Sequence, residues 1–519
     1  MLHGAQFIVS EKAIEHDGFS AIQMKDGRYL SVHYKLDIDY DVESDIYLLG
    51  SAWQTVPGLD TPVNLLDTLK DWGGYQTDFE NKLLSMEATW SGRYVIIAHG
   101  KVYLDATGLM GVFYSGGCFS SSLTLLSEHI GLPIIYPENT SQLNYIPGPL
   151  TQFDQIKRLL PSQIYDYRFN KLHARQLLPQ NRPHYIDEKE RISEFIRLLS
   201  FSIKNMRKMF NDYRILVALT GGYDSRTVAA LAKYSGVDFE CFTLEHDKMT
   251  VGDTEIPNKI CAALNQEYVY LKRNKSDYSS HLDEEYRIHT CGMADDADRG
   301  YYAHRQYQKL QKNGEKIILL RGSIWEISVE YYRKFIRDTF DEKTLYEHYA
   351  AKTGSIIRKS LEEYMSWCRE SSQDGLNDCN RFYWEIREGC WLSSIEQGFD
   401  LLENVISVHP VNCRWLIGIL MDFPIEERIT KLHEKKISVA VCPQLKDIPY
   451  GDCTVRGMDK IKSLFIKVNR MVFRLKSLGF KDTITMYFNI IRTEKETKRL
   501  MASQMDHGKE ECSKHDATS

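Results

Sequence analysis

Nothing in this chain is apolar over the roughly 18 residues that a membrane-spanning helix needs. The opening residues, MLHGAQFIVSEK, lack the basic and apolar blocks of a secretory signal, so a cytoplasmic protein is expected. The eleven cysteines are an odd number, scattered, and no two stand as CxxC. That excludes a zinc ribbon and a disulfide framework, and leaves reduced core residues. A net charge of −6 excludes a general nucleic-acid binder. GxGxxG is missing, and no GxxxxGK[ST] follows a strand, so neither a dinucleotide fingerprint nor a P-loop kinase is indicated. What remains is an ordinary globular composition over 519 residues, enough for two or three domains.

The most informative stretch is ILVALTGGYDSRTVAAL, Ile215 to Leu231. Ile215 to Leu219 is a continuous apolar run, the pattern of a strand buried on both faces. Thr220, Gly221 and Gly222 end it, with the glycines free to take positive φ. Asp224 and Ser225 are expected to cap a helix carrying Val228, Leu231 and Ala232 inward. Strand, glycine turn and helix together aim N–H groups and a helix N-terminus at one point, which suits an anion. Asp224 would repel a bare phosphate, so a divalent cation is expected between them.

LTGGYDS resembles the SGGxDS pyrophosphate loop of the ATP pyrophosphatases, with Thr220 in the first Ser position. Within that group the chain resembles the synthetase part of the glutamine-type asparagine synthetases, β-lactam synthetases and lasso-peptide cyclases. The resemblance spans about residues 90 to 450. It implies an α/β protein with an N-terminal-nucleophile-like αββα sandwich, followed by an ATP-pyrophosphatase (adenine nucleotide α-hydrolase-like) parallel-sheet domain. The implied ligands are ATP and Mg2+. Leu219, Thr220, Gly221, Gly222, Asp224 and Ser225 would hold the nucleotide, Thr243 would lie beside the adenine, and Gly322 would complete the site.

The first 180 residues read as strands and turns. In GRYVIIAHGKVYLDATGLMGVFYS, alternating strands flank the turn His99-Gly100, and Asp105 to Gly108 opens a second turn. Gly92, Arg93, Asp105, Gly111, Phe113 and Tyr114, with the later FDQIKRLLPSQIY, resemble the glutaminase domain of asparagine synthetases. Such a glutaminase uses a thiol at the mature N-terminus, its own α-amine acting as base. Here Leu2, His3 and Gly4 stand there, and the first cysteine is Cys118. A glutaminase-shaped domain without glutaminase activity is therefore expected over residues 1–180.

LPQNRPHY, with two prolines, reads as a linker to a second domain over 186–455. Ile192, Phe195, Ile196, Leu199, Ile203 and Met206 mark a helix packed on its sheet. Strands are expected at Phe239 to Leu244, Tyr268 to Leu271 and Lys316 to Leu320, giving a parallel sheet whose ligands sit at the strands' C-terminal ends. The acids Asp295, Asp296 and Asp298 read as a solvated face rather than a metal site. After Leu320 comes RGSIWE, where the family has GDGxDE. Trp325 stands at the metal-binding Asp, leaving Glu326 as metal ligand beside Asp224. Arg321 is read either as a neutraliser of phosphate charge or as the partner of Glu326 in an ion pair at a helix start. FYWEIREGCW reads as a helix whose Glu385 or Glu388 would deprotonate an amine. His409 to Arg414 resembles the PFLDxR segment that shapes the family's acceptor pocket. Lys446 resembles the lysine that steadies the adenylate transition state. Lys460 to Leu478, in the tail 456–519, is a basic amphipathic helix suited to docking on the core, to a membrane surface or to an acidic partner.

These residues point to an AMP-forming amide ligase joining a small-molecule or peptide carboxylate to an amine or ammonia. The competing reading is a catalytically degenerate, nucleotide-binding partner subunit.

Overall fold

The computed structural model describes residues 3–57, 67–69, 78–137, 145–245, 252–272, 280–293, 306–311, 314–334, 340–349, 351, 353–371 and 375–451, with Arg492 and Lys495. Leu2, the Asp295 to Asp298 acids and the basic stretch Lys460 to Leu478 lie outside the described residues. Among those described, no helix is long and apolar enough to cross a membrane.

Two six-stranded antiparallel sheets come first. One runs in the spatial order Lys157–Arg158, Phe113–Ser115, Cys118–Ser120, Phe7–Ser10, Tyr29–His33 and Phe19–Gln23. The other runs Lys171–Ala174, Gln163–Asp166, Lys101–Leu104, Trp90–Ala98, Ile46–Gln54 and Ile38–Asp41. Alternation along each strand sends one set of side chains to the shared interior. Phe7, Val9, Leu30 and Val32 meet Tyr47, Leu49, Val95 and Ile97 there. The opposite set faces helices. Ile46, Leu48 and Ile96 pack under Phe79–Glu87, while Ile8 and Phe113 pack under Leu123–His129. The layers are thus helix, sheet, sheet, helix. The expected turn is present: His99 (φ 50°) and Gly100 (φ 78°) join Trp90–Ala98 to Lys101–Leu104.

The third sheet is parallel, in the order Tyr268–Leu271, Glu240–Leu244, Arg214–Ala218, Ile317–Leu320 and Val405–Val408. Its strands are mostly apolar because both faces are covered, with Arg214 and Glu240 paired at 2.9 Å at the start of their strands. Ile215 and Val217 face the core built with the helices Glu188–Met209 and Asp224–Tyr234, and Leu216 faces Tyr307, Leu310 and Leu402. In chain order the first three strands step one way from Arg214–Ala218, and the fourth lies on its other side. The order therefore reverses between Arg214–Ala218 and Ile317–Leu320, and a crevice opens at the C-terminal ends of strands at such a reversal.

Side chains wire the halves together. Asp105 accepts from the N–H groups of Thr107 (3.1 Å), Leu109 (3.0 Å) and Met110 (3.2 Å), and from Asn412 Nδ2 (3.0 Å). Asn412 Nδ2 also donates to Gly92 O (2.6 Å), and Thr107 Oγ1 donates to Asn412 Oδ1 (2.9 Å). The buried Arg414 donates to Pro161 O (3.0 Å) and Leu177 O (3.1 Å). In the segment His409 to Arg414, expected at an acceptor pocket, the Asn412 and Arg414 side chains are instead spent on this junction.

Candidate functional site

The loop Thr220 to Ser225 lies at the reversal point. Its shape is fixed by its own hydroxyls: Thr220 N donates to Ser225 Oγ (3.0 Å), the two hydroxyls are 3.0 Å apart, and Gly222 N donates to Thr220 Oγ1 (3.2 Å). Leu219 N donates to Phe242 O (2.8 Å), and Thr243 Oγ1 donates to Leu219 O (2.6 Å). Leu219 and Thr243 are both buried and tie two strand ends together, so the Thr243 side chain is committed to the scaffold.

Two details differ from the sequence expectation. Neither Gly221 nor Gly222 takes positive φ. Gly221 serves close approach instead, its carbonyl accepting from Gly451 N at 3.0 Å. Asp224 is the first helical residue rather than a cap; Tyr223 precedes the helix, and its side chain makes no capping hydrogen bond. The Asp224 carboxylate is therefore left for other partners.

Gly322, following Ile317–Leu320, lies against this helix start. A Cβ there would stand 2.7 Å from Ser225 N, closer than packed atoms come. The turn beyond Gly322 holds the buried Ile324 at φ 81°. That conformation costs a β-branched residue about 1–3 kcal/mol and is retained where the surroundings impose it. Trp325, next along, is buried against Phe195 (ring centroids 5.3 Å apart), and the turn delivers Glu326 to the loop.

Asp224 and Glu326 converge on one ammonium. Lys431 Nζ lies 2.9 and 3.2 Å from the Asp224 carboxylate oxygens and 3.2 Å from Glu326 Oε1. Tyr383 OH donates to Glu326 Oε2 at 2.5 Å. Burial alone would raise the Glu326 pKa, but Lys431 and Tyr383 hold it below the ordinary carboxylate value. Glu434 sits one helical turn beyond Lys431, fully buried; burial and the Asp224 charge push its carboxyl well above the ordinary range. Neither Lys431 nor Glu434 stands out in the sequence, since nothing local links TKLHEKK to a loop about 200 residues earlier.

A second bracket comes from Arg226. It donates to Ile448 O (2.8 Å) and Pro449 O (2.6 Å) and lies over the Tyr450 ring (3.7 Å), which stacks on Tyr223 (3.8 Å). The stretch carrying Lys446 is thereby drawn to the loop, with the Lys446 side chain exposed. Arg321 does not pair with Glu326 as the ion-pair alternative had it: it meets the buried Glu396 at 2.5 Å, and His409 lies 3.0 Å from the same carboxylate oxygen. Burial opposes ionisation of Glu396, yet His409 and Arg321 bring its pKa to about 2.

The helical acids separate clearly. Glu385 is fully buried and saturated, accepting from Ser162 N (3.1 Å), Tyr364 OH (3.0 Å) and Arg381 Nε (3.2 Å). Those partners make it a structural anchor and correct its expected role as a base. Glu388 is also buried, but its Oε2 has no hydrogen-bond partner among the described residues. Burial, reinforced by the Glu326 and Glu396 charges against Arg387 and Arg321, pushes its pKa up to about 8.

Among the described residues no group of three or more His, Cys, Asp or Glu side chains is arranged to hold a metal ion. Asp224 and Glu326 are a pair, and their convergence on a single ammonium is a fit for a cation.

No family model matches this chain, and no curated protein matches it. Among solved structures it is similar to an NMN synthetase from Francisella tularensis, at 14% identity and TM-score 0.20, over 46% of this chain and 94% of that one. It is also similar to an NAD+ synthetase from Burkholderia pseudomallei, at 9% identity and TM-score 0.19, over 50% of this chain and 88% of that one. At those scores neither likeness decides anything about this chain.

Proposed function

We propose that this chain is an ATP-dependent amide ligase that activates a carboxylate as its adenylate and passes the acyl group to an amine or ammonia. The observation that carries this reading is the Thr220–Ser225 loop at the sheet's reversal point, with the Gly322 backbone against it and two carboxylates converging beside it. The finer family reading belongs to the same proposal: an asparagine-synthetase-like parallel-sheet domain over 186–455, a glutaminase-shaped αββα domain over 1–180 and a tail over 456–519, in a cytoplasmic protein.

In this reading the loop N–H groups and hydroxyls cradle the pyrophosphate end of ATP. Magnesium, which Asp224 and Glu326 would hold, supplies neutralising charge on the phosphates when bound. A carboxylate oxygen of the substrate attacks the α-phosphorus. The bond from that phosphorus to the bridging oxygen breaks, and pyrophosphate leaves with the electron pair. Lys446, exposed on the stretch that Arg226 holds against the loop, offsets the charge that develops. Glu388, as carboxylate, takes the proton from the amine as its nitrogen attacks the acyl carbon, and AMP departs. A lysine-bearing P-loop tracks the β and γ phosphates during γ-transfer; a short turn with an acid suits pyrophosphate held as one unit.

The test is exchange of labelled pyrophosphate into ATP with a panel of carboxylic acids, followed by α-labelled ATP with whichever acid supports exchange. Labelled AMP is the expected product, and labelled ADP would overturn the reading. One observation favours the second reading, a degenerate nucleotide-binding subunit: Trp325, at the family's metal-binding position, is sealed in the core. Nucleotide binding with no exchange for any acid would favour it.

A further inference from the structure

We infer that Lys431 is the resident cation of the phosphate loop: it keeps a free divalent cation off Asp224 and Glu326, and hands them over only when a nucleotide arrives. The inference rests on the ligase reading for where the nucleotide sits.

The geometry is that of an occupied cation position. One ammonium touches both oxygens of Asp224 and one of Glu326, all within 3.2 Å. The lysine is held there from its backbone. Lys431 precedes the helix Leu432–Val441 in the left-handed conformation (φ 57°), which a residue with a Cβ adopts only under constraint. The helix it heads packs on Asp224–Tyr234, with Thr227 Oγ1 donating to Glu434 O at 3.3 Å. Tyr383 fixes the remaining Glu326 oxygen from the opposite side. The two carboxylates thus face inward on a ready-made counter-charge.

Free magnesium dehydrates reluctantly and binds poorly unless several ligands are vacant together. Here it would have to expel an ammonium from a half-buried position and leave two like charges crowded at one point. A nucleotide changes that balance, because its phosphates supply the displaced ammonium with new partners. The four-carbon stem of lysine lets the charge swing across while the backbone stays fixed. Cation and nucleotide binding are then coupled, each favouring the other by the same factor.

Manganese(II) is the probe, with free ion followed by electron paramagnetic resonance, and α,β-methylene ATP is the nucleotide because its α–β linkage does not cleave. Wild-type protein alone should bind manganese at least tenfold more weakly than Lys431→Met alone. With the analogue present, wild-type protein should gain at least tenfold beyond the affinity of manganese for the analogue itself. Equal manganese binding by wild type with and without the analogue would overturn the inference, and needs no variant. So would a folded Lys431→Met, or Lys431→Gln should the first not fold, that binds manganese no better than wild type. If wild type fails to bind the analogue at all, the ligase reading falls, while tighter manganese binding by the variant would still uphold the exclusion by Lys431.

Discussion

Replacing Glu388 by Gln tests both the electrostatics and the chemistry of the site. The carboxyl is 3% exposed, with its pKa at about 8, so at pH 7 it is mostly protonated. Glutamine matches the neutral acid in shape, and at about pH 4, below the unfolded value, the variant should be as stable as wild type within about 0.5 kcal/mol. The sign then follows from linkage. A carboxyl raised above its unfolded value of 4.5 contributes stability that is fully present below 4.5, and that contribution is lost as pH climbs to about 8. At about 1.4 kcal/mol for each pH unit between those two values the loss is capped near 5 kcal/mol, and relaxation around the ionised group brings it to about 2–3 kcal/mol. Wild type should therefore lose that much between about pH 4 and pH 8.5 relative to Glu388→Gln, measured by urea unfolding at both pH values. Activity should move the opposite way. Acyl transfer to the amine, if Glu388 is its base, should rise about tenfold per pH unit up to about 8 in wild type, and fall by about 10²–10⁴ in the variant. Pyrophosphate exchange, which precedes the amine, should survive. Parallel stability curves for the two proteins from about pH 4 to pH 8.5 would mean that Glu388 does not titrate there, and the assignment of the base would fail.

Gly322→Ala should weaken nucleotide binding at least tenfold in a direct titration, because its methyl meets Ser225 N at 2.7 Å and costs about 1–3 kcal/mol of overpacking at the loop. Arg226→Met should cost about 2–3 kcal/mol in urea unfolding, since the carbonyls of Ile448 and Pro449 lose a charged donor, and it should weaken nucleotide binding with it. Asn412→Ala should cost about 2–4 kcal/mol and leave nucleotide affinity unchanged, because its three partners lie at the junction of the halves and not at the loop. Asp224→Asn should keep the wild-type free energy of unfolding in urea within about 1 kcal/mol while abolishing magnesium-dependent exchange; wild-type exchange rates would sink its role as a ligand.

What is legible in the sequence is local. The strand before the loop is expected at Ile215 to Leu219 and lies at Arg214–Ala218, because five apolar residues ending in glycines have few other uses. Gly322 can be found because it is the glycine kept from the family's GDGxDE motif after the strand; its steric need at Ser225 N shows only in the structure. Lys431 is illegible, since its partners are distant in the chain and a lysine in a charged helix has the look of a solvated face. That the sequence leaves Glu385 and Glu388 as alternatives, while the structure saturates the first, has a physical cause. Tyr383–Leu392 is a π-helix, continuous with α-helix on either side. Its wider turn places successive side chains at angles that the 3.6 period does not give, and π-turns of this kind gather at functional sites. The PFLDxR-like segment misleads for another reason: Asn412 and Arg414 are polar and buried, and such residues answer equally to a pocket and to a junction.

That junction bears on why the two antiparallel sheets belong to this chain. The helix that carries Glu388 rests on the N-terminal half along its length. Trp384 Nε1 donates to Ala106 O at 2.8 Å, Glu385 receives Ser162 N at 3.1 Å, and a Cβ on Gly389 would stand 3.0 Å from Pro161 and 3.2 Å from Thr107 O. The turn at Asp105 to Gly108 therefore serves two masters, holding Asn412 on one side and the π-helix on the other. A buried acid with its pKa near 8 depends on exclusion of water and on fixed distances to Arg387, Arg321 and Glu326. Loosening the Asp105 turn would let water reach Glu388 and return it toward an ordinary carboxyl, without touching a residue at the nucleotide. On the ligase reading the two antiparallel sheets serve acyl transfer by their rigidity, as the floor that keeps one carboxyl dry.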